Sequence, residues 1–177
     1  KILPLEFQRA YEQSGNWLDC AVALNSRGQI FVAATADYYD QHDNEPILLR
    51  FSPSGIHEWG IGWRPGSDQS NINGICVTAD NQVYVTGQIQ VSVSDWDGFV
   101  TCLDDAGPVW SRHWGDLYAQ YFFGVGVLTN GALATTGIDW TDLPGSHHHA
   151  VVLQWDALTG ELLAQESWSA TAKQSGC

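Results

Sequence analysis

Apolar residues fall along this chain in short runs, and each run leads into a polar cluster rich in Gly, Asn, Asp and Pro. Ile47-Leu48-Leu49-Arg50-Phe51 runs into Ser52-Pro53-Ser54-Gly55, and Phe99-Val100-Thr101-Cys102-Leu103 into Asp104-Asp105-Ala106-Gly107. Val151-Val152-Leu153-Gln154-Trp155 likewise precedes Asp156-Ala157-Leu158-Thr159-Gly160. The three closing glycines stand 52 and 53 residues apart. Short segments rich in Val, Ile and aromatic residues and bounded by turn formers predict β-strands, and no 3.6-residue stripe is long enough for a helix.

Further landmarks keep the same interval, so the chain is a repeat. An aromatic pair follows the turn, Trp59 and Trp63 and then Trp110 and Trp114, with Phe7 and Tyr11 as a degenerate earlier copy and Leu163 where the next Trp would stand. Upstream lie Gly28-Gln29-Ile30-Phe31-Val32, Asn81-Gln82-Val83-Tyr84-Val85-Thr86-Gly87 and Gly131-Ala132-Leu133-Ala134-Thr135-Thr136-Gly137. Before those come Ala21-Val22-Ala23-Leu24, Gly74-Ile75-Cys76-Val77 and Gly124-Val125-Gly126-Val127, whose small residues suit a strand crowded near an axis. Four short strands per unit predict an all-β chain of β-propeller blades: three four-stranded antiparallel blades plus one extra strand, in a single segment over 1–177. Blade I covers about 19–63, blade II about 73–114 and blade III about 123–168, with the extra strand at about 5–11. Propellers close with roughly four to eight blades, so three leave an incomplete ring whose apolar flanks something must cover.

The stretch from Gly74 to Gly87, then Asp97-Gly98-Phe99-Val100 and Gly107-Pro108-Val109-Trp110, resembles bacterial propeller repeats of the SBBP type. Trp155-Asp156-Ala157-Leu158-Thr159-Gly160-Glu161-Leu162-Leu163 is similar to the PQQ-like repeat. The resemblance spans nearly the whole chain. It implies a propeller of a kind commonly secreted or surface-exposed in bacteria, and it carries no active site with it. Asp105-Ala106-Gly107-Pro108-Val109-Trp110 also fits the end of a sialidase-type Asp-box, but Leu103 stands where Ser or Thr is usual and the other units do not repeat it.

Charge narrows the partners. Twenty acidic residues against 7 Lys plus Arg give a formal net charge of -13. Such a surface repels phosphate backbones and anionic headgroups, which excludes nucleic acid and direct membrane insertion from the expected partners. No apolar run reaches the roughly 18 residues of a membrane span. A chain that begins at Lys1 and lacks Met reads as one trimmed at its N-terminus. The repeat type, the acidity and the scarcity of Met and Lys together predict an extracellular, cell-surface or periplasmic protein.

Catalytic signatures are absent: there is no His-Glu-x-x-His, no Gly-x-Ser-x-Gly and no phosphate-cradling glycine loop. The longer loops gather at one end of the blades and carry Trp17, Tyr38, Tyr39, Trp96, Tyr118, Tyr121 and Trp140, rigid surfaces suited to a protein interface or to stacking on sugar rings. Of these, Tyr38, Tyr39, Trp96, Tyr118 and Trp140 are the candidate binding residues. His147 and His149 are candidate zinc ligands, because alternate residues of an extended segment point the same way. Asp37, Asp40, Asp43 and Glu45, and separately Asp95 and Asp97, raise calcium, although neither set matches a calcium loop. No cofactor is expected. Cys76 and Cys102 belong to one blade with a strand between them, about 9.6 Å apart and too far to bridge, while Cys177 is expected to be exposed.

The expectation is a non-catalytic structural or protein-interaction module, with a protein partner or copies of itself completing the propeller. The alternative is a carbohydrate- or metal-binding propeller that uses the aromatic, acidic loop face, with glycans as partners. A weaker one is a fragment of a hydrolase or lyase.

Overall fold

The computed structural model of the chain describes residues 16–38, 43–66, 69–140 and 148–169. Within them the fold is all β. β1 (Asn16–Leu24), β2 (Ile30–Tyr38), β3 (Asp43–Phe51) and β4 (His57–Gly62) form the first sheet. β5 (Ser70–Val77), β6 (Val83–Ser92), β7 (Asp95–Asp104) and β8 (Gly107–Trp114) form the second. β9 (Gln120–Val127), β10 (Leu133–Trp140), β11 (His148–Trp155) and β12 (Leu162–Ser169) form the third. Each sheet is an antiparallel meander in chain order. The four-strand units read from the sequence are therefore present, while the extra strand at 5–11 lies outside the described residues.

The tight turns explain the repeat's glycines. Gly28 and Gly131 after the first strands, and Gly55 and Gly160 after the third, have φ of 70° to 84°. That left-handed region is cheap for glycine. Asn81 takes the same place in the second sheet at φ 68°, a conformation that Asn tolerates, and its Oδ1 accepts from Asn25 Nδ2 of the neighbouring sheet at 2.7 Å.

The sheets stack in succession, with β1 against β5 and β5 against β9. Phe31, Ala33, Leu48 and Trp63 of the first sheet pack with Ile72, Val83, Val85, Ile89, Phe99 and Leu103 of the second. The other face of the second sheet carries Tyr84, Val100, Cys102 and Trp110, which pack with Phe122, Leu133, Val151, Leu153 and Trp155 of the third. A smaller cluster of Ala36, Ile47 and Leu49, with Val32 and Phe51, lies on the remaining face of the first sheet.

Both interfaces use the same polar clasp. Trp59 Nε1 donates to the Asp105 carbonyl, and Trp110 Nε1 donates to the Ala157 carbonyl, each at 3.2 Å. In both cases an indole from a fourth strand reaches the last turn of the next sheet, as expected for aromatics that recur with the repeat. Deeper in the first interface the Ile72 N–H donates to Thr35 Oγ1 at 2.9 Å. These bonds satisfy polar atoms that burial would otherwise orphan.

Strand pairing corrects the sequence register of the third unit. Trp63 N–H bonds the Pro46 carbonyl at 3.1 Å, Trp114 pairs with Gly98, and Trp168 pairs with Ala150. Pro46, Gly98 and Ala150 are evenly spaced along the repeat. Trp168 thus stands where Trp63 and Trp114 stand, and Ala164, paired with Gln154, occupies the place of Trp110 that the sequence gives to Leu163. The cause is a longer turn: Trp155 pairs with Leu162, where Phe51 pairs with His57 and Leu103 with Pro108, while the register irregularity that follows is shared by all three sheets.

Candidate functional site

One end of the second and third sheets collects a polar cluster. It is built from the start of β7, the segment between β8 and β9, and the end of β10. Asp97 is 6% exposed, and its Oδ2 takes a 2.7 Å hydrogen bond or ion pair from His113 Nδ1. Gln120, at the head of β9, is buried and is held on three sides. Its Nε2 donates to Asp116 Oδ1 at 3.0 Å and to Asp139 Oδ1 at 2.9 Å, and its Oε1 accepts from the Asp116 N–H at 3.3 Å. An amide nitrogen between two carboxylates can only donate, which fixes the orientation of the side chain.

Gly115 makes this packing fit. A Cβ there would lie well under 3.0 Å from Asp97 Oδ1 and 2.5 Å from Gln120 Oε1, so any other residue would push these two side chains out of their places. Asp97 Oδ1 has no hydrogen-bond partner and abuts the glycine rather than open space. That contact is at best a weak C–H···O interaction.

Asp95 lies two residues earlier on β7, and its Oδ1 is also buried without a partner. Burial, then the charges of Asp97 and Asp116, hold its carboxyl above the ordinary carboxylate range. A carboxyl raised in the folded state binds protons more readily there than in the unfolded chain. Its ionisation therefore removes stability as pH rises past the unfolded value near 3.9, and the full cost is present above the raised value. Asp95→Asn is accordingly expected to raise the melting temperature at pH 7 and to leave it unchanged below about pH 4. Equal melting curves at pH 7 would refute this account of Asp95.

Beside the cluster a cleft runs between the two sheets in two adjoining lobes of about 230 and 210 Å³. Trp114 and Asp139 line both lobes. Gly115, Asp116 and Gln120 complete one, and Val151, Leu153, Gln165, Glu166 and Ser167 the other. Trp114 stacks on Phe122 with ring centres 6.1 Å apart and donates from Nε1 to Gln165 Oε1 at 3.1 Å.

The predicted binding residues are only partly gathered. Trp96 and Tyr118 are half-buried, and Trp140 is 40% exposed at the end of β10. The rings meeting Trp140 are Tyr121 at 6.0 Å and His148 at 4.6 Å; among the described residues none joins it to Trp96 or Tyr118. The side chain of Tyr38, together with Tyr39, His147, Asp40 and the side chains of Asp37 and Asp43, lies outside the described residues. His149 pairs with Asp139 and Ser169, facing the second sheet, and Glu45 pairs with Arg64 at 3.5 Å. Among the described residues no group of three or more His, Cys, Asp or Glu side chains could hold a metal ion.

Cys20, Cys76 and Cys102 are free thiols. Tyr84 lies between Cys76 and Cys102 across the sheet, as the strand order predicts, and burial pushes both thiols up to about 11. They are therefore protonated and inert at neutral pH.

Sequence reasoning missed Gln120 and Gln165 and marked Trp114 only as one of the aromatics that recur with the repeat. No periodic signal marks the glutamines, since Ser70 opens the equivalent strand of the second sheet. No helix among the described residues is long and apolar enough to cross a membrane, which says nothing of a β-barrel. The chain matches no protein-family model, and no curated protein matches it significantly.

Proposed function

We propose that the three sheets are successive blades of a β-propeller of the SBBP or PQQ-like repeat type. On this reading the chain is a non-catalytic structural and protein-interaction module of an exported bacterial protein, within a larger assembly or a longer propeller. The supporting observation is the fate of one repeated residue. Trp63 is 4% exposed beneath the second sheet and Trp114 is half-buried beside the third, whereas Trp168 at the same register is 54% exposed. Around it, on the same face, lie Ala150, Ile138 and Tyr121 in register, with Trp140 and His148 beyond them. That face has the composition of an interface core, aromatic and poor in charge.

The test is mass in solution by native mass spectrometry or light scattering. The expected result is a multiple of the 19.4 kDa chain, or the chain with a heavier companion, reduced to a single chain by Trp168→Asp. A lone 19.4 kDa particle for the unmodified protein would overturn the assembly reading.

A further inference from the structure

We propose that the cleft between the second and third sheets binds a hydroxylated ring, a sugar residue, through Asp139, Gln165, Ser167 and the indole of Trp114. The site rests on the packing of two described sheets and holds whether or not a ring of blades closes around it.

Its polar groups are oriented before any ligand arrives. An indole N–H can only donate, so the Gln165 atom that meets Trp114 Nε1 at 3.1 Å is the oxygen, and both N–H bonds of Nε2 remain to donate to a ligand. Asp139 is fixed from its other side. Gln120 Nε2 holds Oδ1 at 2.9 Å, and Gln120 is itself only 1% exposed, which leaves Oδ2 as an acceptor. Ser167 is two residues from Gln165 on β12 and lines the same lobe, adding a hydroxyl that can donate or accept. A fixed carboxylate acceptor and a fixed amide donor in one lobe with an aromatic ring match neighbouring hydroxyls, each of which donates once and accepts once.

The remaining walls select the class further. Val151 and Leu153 underlie the floor but are themselves buried, so the apolar surface offered to the C–H face of a ring is the indole of Trp114. Asp116, Asp139 and Glu166 line the cleft without any Lys or Arg, so an anionic ligand would be repelled. The two lobes together fall within the roughly 300–1,000 Å³ of small-ligand sites. The loop aromatics Trp96, Tyr118 and Trp140 do not line the cleft.

The full chain should be titrated with cellobiose, maltose, lactose, mannobiose and chitobiose, followed by tryptophan fluorescence and by the amide resonances of β9, β10 and β12. At least one of the five is expected to saturate. Asp139→Asn and Gln165→Leu should each weaken that binding about tenfold or more, since each leaves a ligand hydroxyl without its partner. Gln165 sits on an exposed strand, so its replacement keeps the test open if Asp139→Asn fails to fold. Trp96→Ala, Tyr118→Ala and Trp140→Ala should leave the affinity unchanged. Saturation by none of the five, survival of binding in Gln165→Leu, or displacement of the sugar by putrescine would overturn the proposal; the last would assign the cleft to organic amines.

Discussion

Gly87→Ala or Gly137→Ala is expected to cost more than about 4 kcal/mol, a large share of the roughly 5–15 kcal/mol that holds a domain together. The two glycines occupy the same place in the second strands of two sheets, each opposite a bulge. In the second sheet Ile72 pairs with Gly87 and Gly74 with Thr86, leaving Asn73 unpaired; in the third, Phe122 pairs with Gly137 and Gly124 with Thr136, leaving Phe123 unpaired. Each bulge tips a first-strand carbonyl over the glycine. A Cβ at Gly87 would fall well under 3.0 Å from the Asn71 carbonyl oxygen, and one at Gly137 equally close to that of Tyr121. Backbone on both sides cannot swing away as a side chain can. In the first sheet Ala34 stands at this position, and the register again shifts by one residue, with Leu18 and Asp19 opposite Thr35 between the Trp17–Ala36 and Cys20–Ala34 pairs. Urea denaturation of the three forms is the measurement. A loss below about 1 kcal/mol would mean that the bulges relax and that glycine is not required.

The same bulges mark how far the sequence could be read. Strand identity, the meander order and the three units were legible because the alternation of apolar runs and turn glycines is local. β5 begins at Ser70 and β9 at Gln120, about three residues earlier than the periodic pattern implied. Polar residues such as Asn71, Asn73 and Gln120 open these strands, and burial rather than propensity places them there. Asn73 Nδ2, for instance, donates to the Phe122 carbonyl of the next sheet at 2.7 Å. Trp168 was hidden for another reason: a longer turn between β11 and β12 displaces it from the simple repeat. The cleft was illegible because its members come from five separate strands and the β8–β9 connection. Trp114 looks like any packing tryptophan until Gln165 meets its N–H. The loop aromatics, conspicuous in sequence, are separated by the geometry: Trp140 meets Tyr121 and His148, and among the described residues no ring joins it to Trp96 or Tyr118.

Phe122→Ala is expected to cost about 3–5 kcal/mol and to abolish the cleft at the same time. Phe122 is fully buried on β9, stacked beneath Trp114 and edge-on to Trp155 at 6.3 Å. Its ring lies 2.9 Å from where a Cβ on Gly98 would stand, so the strand opposite has been kept bare to admit it. Removing the ring leaves a void that glycine cannot fill, which adds a cavity cost to the lost transfer energy. Trp114 then loses its stacking partner, its indole no longer holds Gln165, and the donor side of the cleft becomes free to rotate. Two readouts follow from one substitution: a lower urea midpoint, and a near-ultraviolet circular dichroism spectrum that has lost tryptophan signal under native conditions. If the second and third sheets were independent units, the spectrum would survive and the loss would be small. A fall of under about 1 kcal/mol with an unchanged spectrum would therefore refute the coupling of core to cleft.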